Sequence, residues 1–130
     1  MKKLMLILGC FALLFCLSSG HAFANKSAVS IEAPGSAEKD SEVVIRLKVT
    51  HSGNSCFHYT KWLKVHVDGK LVAQWEYTNS NRPEEATFTK EVKVKVSGNT
   101  EVIAEASCNI HGSSGPAKAT ILAPGAGVNP

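Results

Sequence analysis

From residue 42 to residue 51 the side chains alternate. Val43, Ile45, Leu47 and Val49 share one face, and Arg46, Lys48 and Thr50 share the other. Successive side chains of an extended strand point to opposite sides, so a strand sorts this run into an apolar and a polar face, and a helix cannot. No segment repeats its apolar residues at helical spacing over three turns, and the period of two governs the chain. Further short runs lie between turn residues. Residues 28–32 end before Pro34-Gly35. Residues 62–67 and 70–77 flank Asp68-Gly69, a strong hairpin signal. Residues 86–96 and 100–108 flank Ser97-Gly98-Asn99 and predict a second hairpin. Residues 117–122 make a last strand. Seven short strands in about a hundred residues predict an all-β, immunoglobulin-like β-sandwich.

The first residues stand outside that pattern. Lys2 and Lys3 precede an apolar run from Leu4 to Leu17, and Ala22-Phe23-Ala24 has the small-x-small form of a cleavage site. This is the layout of a secretory signal peptide over residues 1–24, and the apolar run is short for a bilayer span. The expectation is an exported protein of the bacterial periplasm, with one domain over residues 25–122 and a flexible tail over 123–130. Cleavage removes Lys2 and Lys3 and lowers the formal charge from +3 to about +1. Scattered lysines and few aromatics argue against nucleic acid as a partner. No other apolar run reaches spanning length, so no membrane attachment is expected after cleavage.

Of four cysteines, Cys10 and Cys16 leave with the leader, and Cys56 and Cys108 stay. In an exported domain two cysteines suggest a disulfide. One reading is therefore a metal-free binding module crosslinked between Cys56 and Cys108. The other comes from strand parity. His51 continues the inward face of Val43 to Val49, and Cys108 continues that of Val102, Ala104 and Ala106. An imidazole and a thiol thus leave the core face at strand ends. His58 and His111 come from the loops that follow, while His66 falls on the outer face beside Lys64. Three imidazoles and a thiolate suit iron, zinc or copper. Each residue alone is as well explained as a satisfied polar group at a strand end. Lys61 is the better-placed cation for attracting an anion, since Lys48 points out of its strand. Trp62 and Tyr59 are expected to pack around the site. A copper electron carrier of cupredoxin type fits an early histidine and a late Cys-then-His loop, but such sites usually add an axial methionine. The chain after residue 24 has none.

These residues resemble a known family. "HSGNSCFHYTKWLKVHVDGK" at 51–70, "RPEEATFT" at 82–89 and "CNIHG" at 108–112 are similar to the iron-binding domain of desulfoferrodoxin and neelaredoxin, the superoxide reductases. The resemblance implies an immunoglobulin-like sandwich and a mononuclear non-haem iron. His51, His58 and His111 would be equatorial ligands and Cys108 the axial thiolate. It further implies superoxide as substrate and a small electron-donor protein as partner. The chain departs from the family in one region. The family's early Glu-Lys-His-Val-Pro element supplies a fourth histidine, whereas Glu38-Lys39-Asp40 carries none. A metal-binding relative with altered or lost chemistry is the accompanying reading.

Overall fold

The structure is a computed structural model that describes residues 26–125. Seven strands follow one another: β1 (Ala28–Glu32), β2 (Glu42–Thr50), β3 (Thr60–Val67), β4 (Lys70–Glu76), β5 (Phe88–Lys95), β6 (Thr100–Cys108) and β7 (Ala117–Ile121). They form a three-stranded sheet in the order β1-β2-β5 and a four-stranded sheet in the order β4-β3-β6-β7, with every pair antiparallel. This is the expected all-β sandwich of immunoglobulin-like type. The leader expected at residues 1–24 lies outside the described residues, as does most of the expected tail. Ala123, at the head of that tail, is buried, and its N–H donates to Asn99 Oδ1 at 2.9 Å.

The alternation in β2 is realised as written. Ile45, Leu47 and Val49 have no exposed surface, while Arg46, Lys48 and Thr50 face solvent. Opposite them, Leu63 and Val65 of β3, Val102, Ala104 and Ala106 of β6, and Ile121 of β7 complete the core. Each fully buried Val, Leu or Ile contributes about 1.5–3 kcal/mol relative to exposure, which makes this interlayer the main source of stability. A buried polar pair beside it is satisfied: Ser27 Oγ and Thr60 Oγ1 lie 2.7 Å apart.

Two features depart from the sequence reading. The second hairpin does not form. β5 pairs with β2 and β6 pairs with β3 and β7, so Ser97-Gly98-Asn99 carries the chain from one sheet to the other. The turn residues mark a reversal, but each flanking strand finds its partner elsewhere. The parity of β3 is also interrupted. Thr60 pairs with Cys108 and Trp62 with Ser107, so Lys61 is the extra residue of a bulge. That bulge lets both Thr60 and Leu63 be buried across an odd spacing.

The consequence for function is geometric. β2 ends at Thr50, β6 ends at Cys108, β3 begins at Thr60, and Ala28 at the start of β1 pairs with Thr50. Antiparallel pairing therefore gathers the 51–59 loop and the 108–112 loop at one end of the sandwich.

Candidate metal centre

The CNIHG segment is a closed turn. The Cys108 N–H donates to the Gly112 carbonyl at 2.9 Å, and the Gly112 N–H donates back to the Cys108 carbonyl at 3.2 Å. Gly112 has φ 80°, a left-handed conformation that closes a three-residue loop at little cost only for glycine. Between these two residues, Asn109, Ile110 and His111 form the tip of the turn. The backbone N–H groups of Ile110 and His111 donate to Cys108 Sγ at 3.4 and 3.5 Å. The buried sulfur thus meets two positive dipole ends, the setting in which a metal thiolate is tuned by hydrogen bonds.

The second loop follows β2. His51 is buried, 5% exposed, as its parity predicted. A small turn follows, in which the Ser55 N–H donates to the His58 carbonyl at 2.8 Å and the His58 N–H donates to the Ser55 carbonyl at 3.2 Å. Cys56 and Phe57 sit at its exposed tip, and His58 is turned back, half-buried. Asn54 Nδ2 donates to the Pro83 carbonyl at 2.7 Å and ties this loop to the buried start of the 83–87 segment.

The donor atoms converge. His51 Nε2 lies 3.1 Å from His58 Nε2, and His58 Nε2 lies 3.2 Å from His111 Nδ1. Cys108 Sγ lies 3.9 Å from His111 Nδ1. The ligand atoms of His51, His58 and Cys108 are all within 4.8 Å of one another. A metal–imidazole bond of about 2.0–2.1 Å separates neighbouring nitrogens by about 2.9 Å at a right angle and about 3.4 Å at a tetrahedral angle. Both nitrogen–nitrogen distances fall inside that range, and the mutually close set of His51, His58 and Cys108 fits a single ion with His111 beside it. The imidazole planes also stand edge to face, at 77° for His51 and His58 and 82° for His58 and His111. That disposition lets several rings turn a nitrogen to one point without stacking on each other.

All four ligand candidates named from the sequence are thus brought together. His111, exposed, forms the outer side and Cys108, buried, the inner side. Among the described residues no fourth imidazole joins them. His66 lies on the outer face of the four-stranded sheet, in a groove of about 450 Å³ with Trp62, Lys64, Ile103, Glu105 and Pro116. Trp62 belongs to that groove as well, with Lys64 Nζ 4.6 Å from its ring, and does not pack around the site as expected. The β3 bulge turns it to the opposite face. Lys61 is exposed in the bulge beside Thr60, the partner of Cys108. Cys56 and Cys108 are both free, one exposed and the other buried under the CNIHG turn, and the crosslink between them is not formed.

Three supporting residues were not legible in the sequence. Asn109 bonds to the backbone on both sides of His58, through Nδ2 to the Phe57 carbonyl at 3.1 Å and from the Tyr59 N–H to Oδ1 at 3.0 Å. Gly53 lies against the His58 ring so closely that a Cβ there would stand 2.6 Å from Nδ1. Ser27 joins the end of the CNIHG loop to the start of β1, donating its N–H to the Gly112 carbonyl at 3.2 Å. Only the neighbourhood of Asn109 with Cys108 hinted at a role.

Comparison with known proteins bears on the fold and the family. The sequence profile of the family described as desulfoferrodoxin matches residues 19–113. No curated protein sequence matches the chain. Among solved structures, a singly substituted form of superoxide reductase (neelaredoxin) from Ignicoccus hospitalis is 22% identical with a TM-score of 0.64, covering 82% of this chain and 89% of its own. The form of the same protein that carries no named substitution is 20% identical with a TM-score of 0.58, over 79% of this chain and 85% of its own. A CARDB domain from Pyrococcus furiosus, solved with di-metal ions, is 15% identical with a TM-score of 0.57, over 78% of this chain and 99% of its own. At these identities the structural likeness establishes a shared sandwich. The profile match covers well over half of the sequence, and the chain belongs to the desulfoferrodoxin family.

Proposed function

We propose that this protein holds one non-haem iron through His51, His58, His111 and Cys108 and reduces superoxide to hydrogen peroxide. The observation that carries the reading is the convergence of His51, His58 and the buried Cys108 within 4.8 Å of one another, with His111 Nδ1 3.2 Å from His58 Nε2 and 3.9 Å from Cys108 Sγ. Iron so bound supplies one electron to superoxide, and two protons from solvent complete hydrogen peroxide. The chain's own part is to hold the donors and control access. Cys108, beneath the site, is shielded from solvent and receives the two amide N–H groups, which offset negative charge on sulfur. His111 lines the solvent side, where a small anion and protons arrive. Lys61 is the cation we assign to drawing the anion in, from its exposed place in the bulge next to the Cys108 partner. The electron comes from a small donor protein that meets the same open face.

Among the described residues three histidines gather where the family commonly has four, so an ion held by them would have more positions for solvent or substrate, and the rate and the metal preference are expected to differ from the relatives. The reading also includes export: the basic start, the apolar run and Ala22-Phe23-Ala24 support cleavage after Ala24. A periplasmic fraction in which the mature protein begins at Asn25 is the expected result.

The test is an anaerobic load with ferrous iron followed by oxidation. A thiolate-to-iron charge-transfer band should appear in the wild type and vanish in Cys108→Ser. Superoxide consumption should follow the band, and Lys61→Ala should slow it with the band intact. Absence of the band in the loaded wild type, or its survival in Cys108→Ser, would overturn the iron–cysteine assignment.

A further inference from the structure

The two ligand loops are distant in sequence, and beside the His58–His111 contact one further side chain joins them. Asn109 follows Cys108 directly, yet its amide reaches across to the other loop. Nδ2 donates to the Phe57 carbonyl at 3.1 Å, and Oδ1 accepts the Tyr59 N–H at 3.0 Å. Its own N–H donates to the Tyr59 carbonyl at 3.0 Å. These three bonds grip the peptide units before and after His58. Gly53 lies beside the ring, where an added Cβ would come within 2.6 Å of Nδ1. The backbone on both sides of His58 is therefore held by Asn109, and only a residue without a side chain fits beside its imidazole. Its Nε2 is also the central atom of the cluster, 3.1 Å from His51 and 3.2 Å from His111.

From this we infer that Asn109 is the positioning residue of the metal centre: it sets the separation between the loop that carries His58 and the loop that carries Cys108 and His111. The inference rests on the metal reading above. Both functions of the amide are needed. Aspartate keeps the acceptor for Tyr59 but sets an oxygen against the Phe57 carbonyl, and alanine keeps only the backbone bond. Without the clamp the loops remain attached to their strands, but the histidine nitrogen is no longer held at ligand distance. Residues that orient metal ligands in this way typically change affinity by about 10–100-fold when removed.

The experiment titrates purified protein with cobalt(II), following both the thiolate charge-transfer band and the rise in melting temperature on loading. Asn109→Ala should bind at least about ten-fold more weakly than wild type, with Asn109→Asp between them. The control is Asn99→Ala, which removes an equally ordinary bond to the Ala123 N–H at the opposite end of β6. A residue of merely structural importance would lower the metal-free melting temperature and leave the cobalt affinity and the gain on loading unchanged, as expected for the control. Asn109→Ala binding cobalt within about two-fold of wild type, with the same band, would overturn the inference alone. If Asn109→Ala fails to fold, Asn109→Asp decides by the same criterion. A wild-type protein that takes up no cobalt would overturn the metal reading and this inference together.

Discussion

At the scale of single residues, the centre depends as much on what is missing as on what is present. Gly53 is one such case. A Cβ at this position would sit 2.6 Å from His58 Nδ1, closer than real contacts allow, and the ring cannot fold away as a long flexible chain would. Gly53→Ala is therefore expected to leave the metal-free fold nearly intact and to weaken metal binding about ten-fold or more by turning the imidazole. A cobalt titration beside a melt of the metal-free protein checks this, and equal affinity in the two proteins would refute it. The candidate ligands were far more legible than their supports. Strand parity alone turned His51 and Cys108 inward, because a side chain's face is determined by its position along the strand. Asn109 and Gly53 act on His58 across loop contacts, Asn109 from about fifty residues away in sequence, and no period in the sequence records such a contact.

At the scale of elements, two turn signals, the stronger at Asp68-Gly69 and the weaker at Ser97-Gly98-Asn99, had different outcomes. Asp68-Gly69 joins β3 and β4 as a hairpin, and both residues take positive φ, 48° and 82°, as a tight two-residue turn between twisted strands requires. Gly69→Ala should cost about 1–2 kcal/mol, the strain of a left-handed alanine. Because the turn lies at the end of β3 away from Thr60, cobalt affinity should not change. Parallel melts and titrations separate the two effects. Ser97-Gly98-Asn99 also reverses the chain, but β5 goes to β2 and β6 to β3 and β7. Turn chemistry tells where a chain bends. Whether the strands on either side pair is decided by competition for partners across the whole sheet. The bulge at Lys61 has the same origin: Thr60 is pulled into the core beside Ser27, and the register must absorb the extra residue.

At the scale of the whole molecule, the site closes one end of a thin sandwich. The loops that form it have few apolar contacts of their own, and Phe57 and Ile110 on them stay 78% and 59% exposed. A metal that binds the folded chain and not the unfolded one adds about 2.7 kcal/mol when free metal is a hundred times its dissociation constant. For a domain of this size that corresponds to a rise in melting temperature of about 10 °C or more. Calorimetry of the loaded protein before and after a chelator should show this rise and its loss. An unchanged melting temperature would mean that the donors do not hold the ion in the folded state.

What the sequence determined by itself was local and periodic. Alternation specified the strands and their buried faces, Asp68-Gly69 specified a hairpin, and the residue types at 51, 58, 108 and 111 specified a chemistry. The resemblance carried by the 51–70 and 108–112 segments named the family that the profile match then established. What only the tertiary structure decided was which strands pair, which face Trp62 occupies, and that the two cysteines stay free while His51, His58 and Cys108 meet beside His111. These are matters of distance between residues far apart in sequence. They are settled when two sheets pack over one core and antiparallel pairing brings particular strand ends to the same end of the molecule.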